Sequence, residues 1–395
     1  MNINNKWMRA AIPALLIHCS IGTVYCWSTF KDAIAERIGV SPFATGWAFS
    51  LAIFFLGMSA AFFGKVVERD IHKSALVSCI CFITGFLGTG VTIQFFKGIP
   101  ALILLYIFYG CIMGIGLGVG YLTPVKTLML WFKENKGLAT GISIMGFGLA
   151  KVMATPAMEF IQQKVNIYAM FYILSIVYFI MMFLGYLLLK KPEGWVEKTD
   201  EDDDFSLKDI IKNPVFIGIW LIFYINIHCG LMLITYEKQL LIKYGLTGAF
   251  IAFIPSLTAA LNAGGRIGYA TLSDKFKNKF NIYVIIFISS ILGIGVFLVG
   301  RVAFLIIVLL LIINAGYGGG FSTLPNLLNS KFGMEHISKI HGLTLSAWAV
   351  AGITGNNTSA FILENSNNNY VYIFITALVM YGIALIITSY LKRKK

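Results

Sequence analysis

The chain has 395 residues, 58% of them hydrophobic and 12% charged, with a mean hydropathy of +0.79. These values exclude an ordinary soluble domain, in which about a quarter of residues are charged. An excess of 31 Lys and Arg over 18 Asp and Glu would suggest nucleic acid as a soluble protein's partner, but here apolar runs of about twenty residues recur along the whole chain. The reading is a polytopic membrane protein, partnered by the lipid bilayer and not by nucleic acid.

In chain order the apolar segments fall at about 8–30, 42–64, 74–96, 99–131, 137–160 and 167–189, then 214–236, 248–272, 280–299, 302–327, 342–363 and 370–391, each of spanning length. That predicts twelve transmembrane helices, since within a bilayer only helices or closed barrels satisfy every backbone group. Lys6 and Arg9 precede the first segment in the manner of a signal peptide, but the run continues through aromatics without a small-residue cleavage site, so a retained span is expected. The six cysteines lie within apolar runs without zinc-like spacing and read as small hydrophobes. Residues 190–212, with the acidic run at 200–204, form the one clearly polar interruption and read as a solvated central loop. The expected division is an N-terminal six-helix bundle over 1–190, a linker over 191–213 and a C-terminal six-helix bundle over 214–395.

With the N-terminus placed inside, inner loops and tails hold twenty-one of the Lys and Arg residues and outer loops seven, with Lys126, Lys151 and Arg266 left within spans. This asymmetry puts both termini in the cytoplasm of a plasma (inner) membrane protein. The polar run at 365–369 reads as an outer loop.

The halves echo each other. His18-Cys19 returns as His228-Cys229, Gly64 to Glu68-Arg69 as Ala270 to Asp274-Lys275, and Lys136-Gly137-Leu138 as His341-Gly342-Leu343. The offsets are 210, 206 and 205, so the chain reads as two pseudo-symmetric halves of an all-α fold. Duplicated bundles of this kind are expected to bind substrate between halves, near the bilayer midplane.

Arg266 precedes the charged end of span eight by about eight residues, roughly 12 Å of helix. A permanent charge at that depth costs at least about 3 kcal/mol even on the lenient insertion scale, and marks an anion-binding residue in a transport pathway. Lys151 is similarly deep in span five; it either contacts substrate or snorkels past Glu159. Lys126 is close enough to Trp131 to reach the inner interface. His18 and His228 read either as packing residues or as possible proton carriers, since no Asp or Glu lies deep in any span. The glycines of spans four and ten allow close helix contact and bending; Gly116 to Gly120 is no nucleotide loop, because no strand precedes it. No metal cluster or nucleophile triad appears, so neither a cofactor nor an enzymatic activity is expected.

Gly64 to Glu68-Arg69 and Ala270 to Asp274-Lys275 share the pattern small residue, three residues, acid, base, at the turns after spans two and eight. The acid can cap a helix start and pair with a base. These segments resemble the inner-loop gating motif of the major facilitator superfamily, although Ile71 stands where a glycine is usual and Glu68 where an aspartate is usual. Tyr25-Cys26-Trp27, Gly120-Tyr121 before Trp131-Phe132, Lys136-Gly137-Leu138-Ala139-Thr140-Gly141, Gly265-Arg266, and Pro325 with Lys331-Phe332-Gly333 together are similar to the oxalate/formate antiporter family over essentially the whole chain.

The resemblance implies that Arg266 binds a substrate carboxylate and that aromatics line the pocket, here Tyr25, Tyr121, Tyr317, Phe321 and Trp348. Oxalate carriers of the family add a span-eleven lysine, whose place is taken by Trp348. Exchanging an ammonium for an indole favours a single carboxylate with an apolar or hydroxylated remainder. The expected function is therefore secondary active transport of small monocarboxylates such as formate, pyruvate or lactate, by a monomer working through alternating access. Two alternatives stand beside it: a dicarboxylate or oxalate exchanger using Arg266 with Lys151, and a non-transporting membrane sensor on the same fold.

Overall fold

The computed structural model describes residues 5–194 and 207–393; the acidic run at 200–204 lies outside the described residues. Twelve long helices carry the chain: α1 (Trp7–Ile38), α2 (Pro42–Arg69), α3 (Ile71–Phe95), α4 (Gly98–Trp131), α5 (Lys136–Gln162), α6 (Ile167–Leu188), α7 (Pro214–Ile234), α8 (Ala249–Lys275), α9 (Phe280–Gly300), α10 (Ala303–Phe332), α11 (Ile337–Asn365) and α12 (Val371–Arg393). Two short helices, Leu207–Lys212 and Glu237–Lys243, precede α7 and α8. The first of them ends a segment that the sequence reads only as a solvated loop.

The helix limits follow from local chemistry. Ser41 accepts the Ala44 N–H and Pro42 follows as the first helical residue of α2, while Asn213 and Pro214 open α7 in the same way. Asp70 caps α3 through the amides of His72 and Lys73 at 2.9 and 3.0 Å. Gly39, at φ +75°, ends α1 where a side chain would be strained.

Ten of the twelve helices are long and apolar enough to cross a bilayer by composition. The two others, α8 with 27 residues and α11 with 29, have the length but carry Asn262 and Arg266, and His341, Asn356 and Asn357. Large hydrophobic side chains such as Phe62, Ile99, Phe160, Phe304 and Ile386 remain on the surface, as a lipid solvent requires and water does not tolerate over large areas. The chain is an all-α, multi-pass membrane protein of two pseudo-symmetric six-helix bundles.

By packing, the residues divide into two compact units. The first is Met1–Glu134, Ile142–Asp203 and Glu335–Ala349; the second is Asn135–Gly141, Asp204–Met334 and Val350–Lys395. The first turns of α5 thus pack within the second unit, and the first half of α11 within the first.

In each unit one helix has a long stretch in which every residue is buried, α4 from Gly116 to Leu130 and α10 from Gly316 to Leu328. Small residues make this possible. A Cβ on Gly118 would strike the carbonyl of Leu56 in α2, and one on Gly318 the carbonyl of Asn262 in α8. Each helix also holds an internal proline, Pro124 or Pro325, which removes one amide from the helical ladder. Neighbouring side chains bond the backbone of these helices, with Ser78 donating to the Gly116 carbonyl at 2.7 Å and Tyr283 to the Gly320 carbonyl at 2.8 Å.

Candidate functional site

The acid of each repeated motif caps a helix, but not the helix that follows it in sequence. In the first unit Glu68, at the end of α2, accepts the Ser338 N–H at 2.9 Å at the start of α11 and meets the Lys126 ammonium at 2.7 Å. Gly64 lets the two helices close, since a Cβ there would lie 2.7 Å from the Ser338 carbonyl. In the second unit Asp274, at the end of α8, accepts the amides of Gly137 and Leu138 at 2.8 and 2.9 Å at the start of α5, and Asn326 also donates to it at 3.1 Å. A carboxylate at a helix N-terminus satisfies open amides and opposes the helix dipole. Lys126 therefore ends inside the protein on Glu68 and not at the inner interface that its distance from Trp131 suggests; the partner lies 58 positions away and no local pattern announces it.

In the second unit Arg266 is 2% exposed. Its Nε donates to the Asn262 side-chain oxygen at 3.1 Å, one helical turn back, and its guanidinium carbon stands 5.5 Å from the ring centroid of Phe321, a cation–π distance. Tyr317 packs on Phe321 at 5.2 Å and Phe223 does so at 5.1 Å. Arg266, Tyr317 and Phe321, chosen from the sequence, are thus brought together, and Asn262 joins them as the residue that orients the guanidinium. Its signal was present in the four-residue spacing.

The first unit gathers a second cluster. Phe147 of α5 is its hub, with ring centroids 5.3 Å from Tyr25, 5.6 Å from Tyr121, 5.9 Å from Trp348 and 6.1 Å from His18. Tyr121 touches Trp348 at 5.8 Å, stacks on His18 at 5.3 Å and meets His341 at 5.9 Å. Tyr25 reaches the cluster from the 3-10 turn Gly22–Cys26 that interrupts α1. At this turn Gly22 is needed, because a Cβ would collide with the Phe147 carbonyl. Phe147 and His341 were not singled out from sequence as site residues; an aromatic or histidine in an apolar helix carries no mark of what it faces.

The two histidines at equivalent positions have different surroundings. His18 Nδ1 lies 2.7 Å from the Ser143 carbonyl and 2.9 Å from the Ser143 hydroxyl, and Nε2 lies 3.1 Å from the Tyr121 carbonyl. His228 Nδ1 sits in a triangle with Thr354 Oγ1 at 2.9 Å and Tyr224 Oη at 3.2 Å. Hydroxyls donate or accept, so this triangle stays bonded whichever state the ring takes. Lys151 belongs to neither cluster and is exposed on α5, as is Glu159.

A family model described as Major Facilitator Superfamily matches residues 14–356. The chain is 24% identical over 391 residues to the oxalate:formate antiporter of Oxalobacter formigenes, covering 97% of this chain and 91% of that one. It is 21% identical over 309 residues to apicoplast pyruvate carrier 1 of Toxoplasma gondii, covering 59% of this chain and 55% of that one. Among solved structures it superposes on the proton:xylose symporter XylE with a TM-score of 0.73 at 13% identity, over 96% and 94% of the two chains.

Proposed function

This chain belongs to the Major Facilitator Superfamily, and on that premise we propose that it is a secondary active transporter of small monocarboxylates of the formate, pyruvate or lactate type. The observation that carries the reading is Arg266: a permanent cation buried to 2% exposure and oriented by Asn262 and the Phe321 ring. A guanidinium fixed in this way presents paired N–H groups that match a carboxylate. The relationship to an oxalate:formate antiporter and to a pyruvate carrier supports the same substrate class.

Tyr317 and Phe321 supply an apolar wall beside Arg266, and Tyr25, Tyr121 and Trp348, clustered within the first unit, stay in the proposal as further substrate-binding residues. Trp348 is 1% exposed and adds no charge, which favours one carboxylate over two. A dicarboxylate exchanger needs Lys151 as the second cation, and an exposed lysine outside both clusters gives that reading less support. If uptake is proton-coupled, His18 and His228 are the candidate carriers, and each has a hydroxyl partner at Nδ1 that can donate or accept. The gating role falls to Glu68 and Asp274, with Gly64, Arg69 and Lys275 at the same turns. The twenty-one to seven bias of Lys and Arg supports cytoplasmic termini, and a plasma membrane location and a monomeric working state are part of the proposal.

The test is uptake of labelled formate, pyruvate and lactate into proteoliposomes, with and without internal anion or a pH gradient. Uptake that disappears in folded Arg266→Ala is the expected result. Wild-type uptake rates in that variant refute the carboxylate assignment, and binding without flux under every gradient identifies a sensor.

A further inference from the structure

We infer that Glu237 is the site at which a proton boards with the substrate anion, so that the protein couples carboxylate uptake to protons and does not only exchange anions. This rests on the carboxylate reading and adds its coupling ion. Glu237 follows α7 as the first residue of the short helix Glu237–Lys243, which packs on α8 and α10 with Glu237, Leu240 and Leu241 buried. The acid is 8% exposed, and the hydroxyl of Thr258, in α8, stands 2.6 Å from Glu237 Oε1. Thr258 lies nine residues after Ala249, about 13 Å of helix from the start of α8. An acid held at that depth in a spanning bundle is costly, and its retention marks a functional site.

Thr258 has one hydroxyl hydrogen and two acceptors in reach, Glu237 Oε1 and the Pro255 carbonyl at 3.0 Å. With Glu237 ionised, the hydroxyl serves the carboxylate. With a proton on Glu237, the acid donates to Thr258 and Thr258 donates to Pro255. Both states of the acid are therefore bonded, as a site that loads and unloads a proton requires. His18 and His228 are bonded to other helices, whereas Glu237 is joined to the helix that carries Arg266.

Thr258, Asn262 and Arg266 recur every four residues and share one face of α8, within the second unit. Asn262 in turn holds Arg266 Nε at 3.1 Å. Of the ionisable groups around Glu237, Arg266 is the first that α8 offers and Tyr317 the first that α10 offers, while α7 has none after Cys229. On the segment of Glu237 itself, Tyr236 faces Tyr370 at 6.1 Å and feels the Glu364 carboxylate, Lys238 is exposed and Lys243 donates to the Asn368 carbonyl. Glu237 and a carboxylate on Arg266 thus act on the same cation. About 12 Å of helix separates Thr258 from Arg266, and two negative charges that far apart, at an effective dielectric of about 20, repel enough to change affinity about tenfold. A proton on Glu237 lifts that repulsion, so anion affinity rises as pH falls. By reciprocity the bound anion tightens the hold of Glu237 on its proton by the same factor.

The experiment follows labelled pyruvate in proteoliposomes of the purified full-length protein in two modes: accumulation driven by an inward proton gradient, and exchange against internal pyruvate at equal pH on both sides. Wild type is expected to do both, with binding affinity rising about tenfold from about pH 8 to about pH 5.5. In Glu237→Gln, whose amide stands in for the neutral acid, accumulation falls at least about tenfold, exchange stays within about twofold of wild type, and binding no longer changes with pH. Thr258→Val keeps the acid but removes its charge-assisted bond, and is expected to move the midpoint of the pH profile upward by about one unit. A wild-type pH profile in folded Glu237→Gln, or loss of exchange along with accumulation, overturns the role of Glu237 and leaves the carboxylate reading standing. An unmoved midpoint in Thr258→Val does the same, even where Glu237→Gln fails to fold. A wild type that binds none of pyruvate, lactate and formate overturns both.

Discussion

The Glu68 carboxylate meets the Lys126 ammonium at 2.7 Å and accepts the Ser338 N–H at 2.9 Å, so a single side chain neutralises a buried charge of α4 and caps α11. Removing Lys126 alone, as Lys126→Met, leaves that acid without its cation; breaking a buried pair typically costs about 3–5 kcal/mol. The thermal unfolding temperature in detergent is expected to fall by several degrees, and Glu68→Gln combined with Lys126→Met to recover more than half of the loss. An additive double variant would show that the two side chains are not coupled.

Asp274 performs the capping task in the second unit, through the amides of Gly137 and Leu138. Asp274→Ala removes both acceptors, at a typical cost of about 1–2 kcal/mol for a helix cap. Hydrogen exchange at residues 137–141 is expected to accelerate about tenfold, since local opening sets the rate there. Asp274→Asn keeps one acceptor oxygen and falls between.

Asn262 orients Arg266 through a 3.1 Å bond to Nε. Asn262→Ala is expected to weaken carboxylate binding about tenfold, as for loss of one hydrogen bond to a charged group, with the unfolding temperature little changed. Arg266→Ala abolishes measurable binding. Equal effects of the two substitutions would mean that Asn262 does more than orient.

The glycines separate into required and dispensable ones. A Cβ on Gly137 would collide with the Ala270 carbonyl, and one on Gly342 with that of Ala60, whereas nothing lies within 4 Å of a Cβ on Gly268. Gly137→Val and Gly342→Val are expected to destabilise the folded protein severely. Gly268→Ala is expected to leave stability unchanged or raise it by up to about 1 kcal/mol, the helix-propensity difference. Thermal unfolding of the purified variants distinguishes these outcomes.

The twelve helices were legible in the sequence because a bilayer allows so few backbone solutions, and the charge pattern and repeats were legible because they are local. Arg266 was legible for the same reason: a charge in an apolar run stands out without any knowledge of its neighbours. What the sequence withheld depends on distant contacts. Glu68 finds Ser338 across 270 positions, so no local pattern names the helix it caps. Phe147 looks like any apolar residue until Tyr25, Tyr121 and Trp348 are seen around it. His341 sits where the repeat aligns it with Lys136, at a helix start rather than in a buried cluster. The 3-10 turn at Gly22–Cys26 begins at Gly22, a weak helix former, but its close contact with the Phe147 carbonyl is another distant one.

The unbroken burial of α4 and α10 bears on how this sequence can change over evolutionary time. Most spans keep a lipid-facing stripe along which one apolar side chain is as good as another, and substitutions accumulate there at little cost. Gly116 to Leu130 and Gly316 to Leu328 have no such stripe. A saturation mutagenesis map should therefore show two intolerant bands about two hundred positions apart, and viable changes inside either band should arrive in pairs, with a compensating loss of volume on the helix it touches.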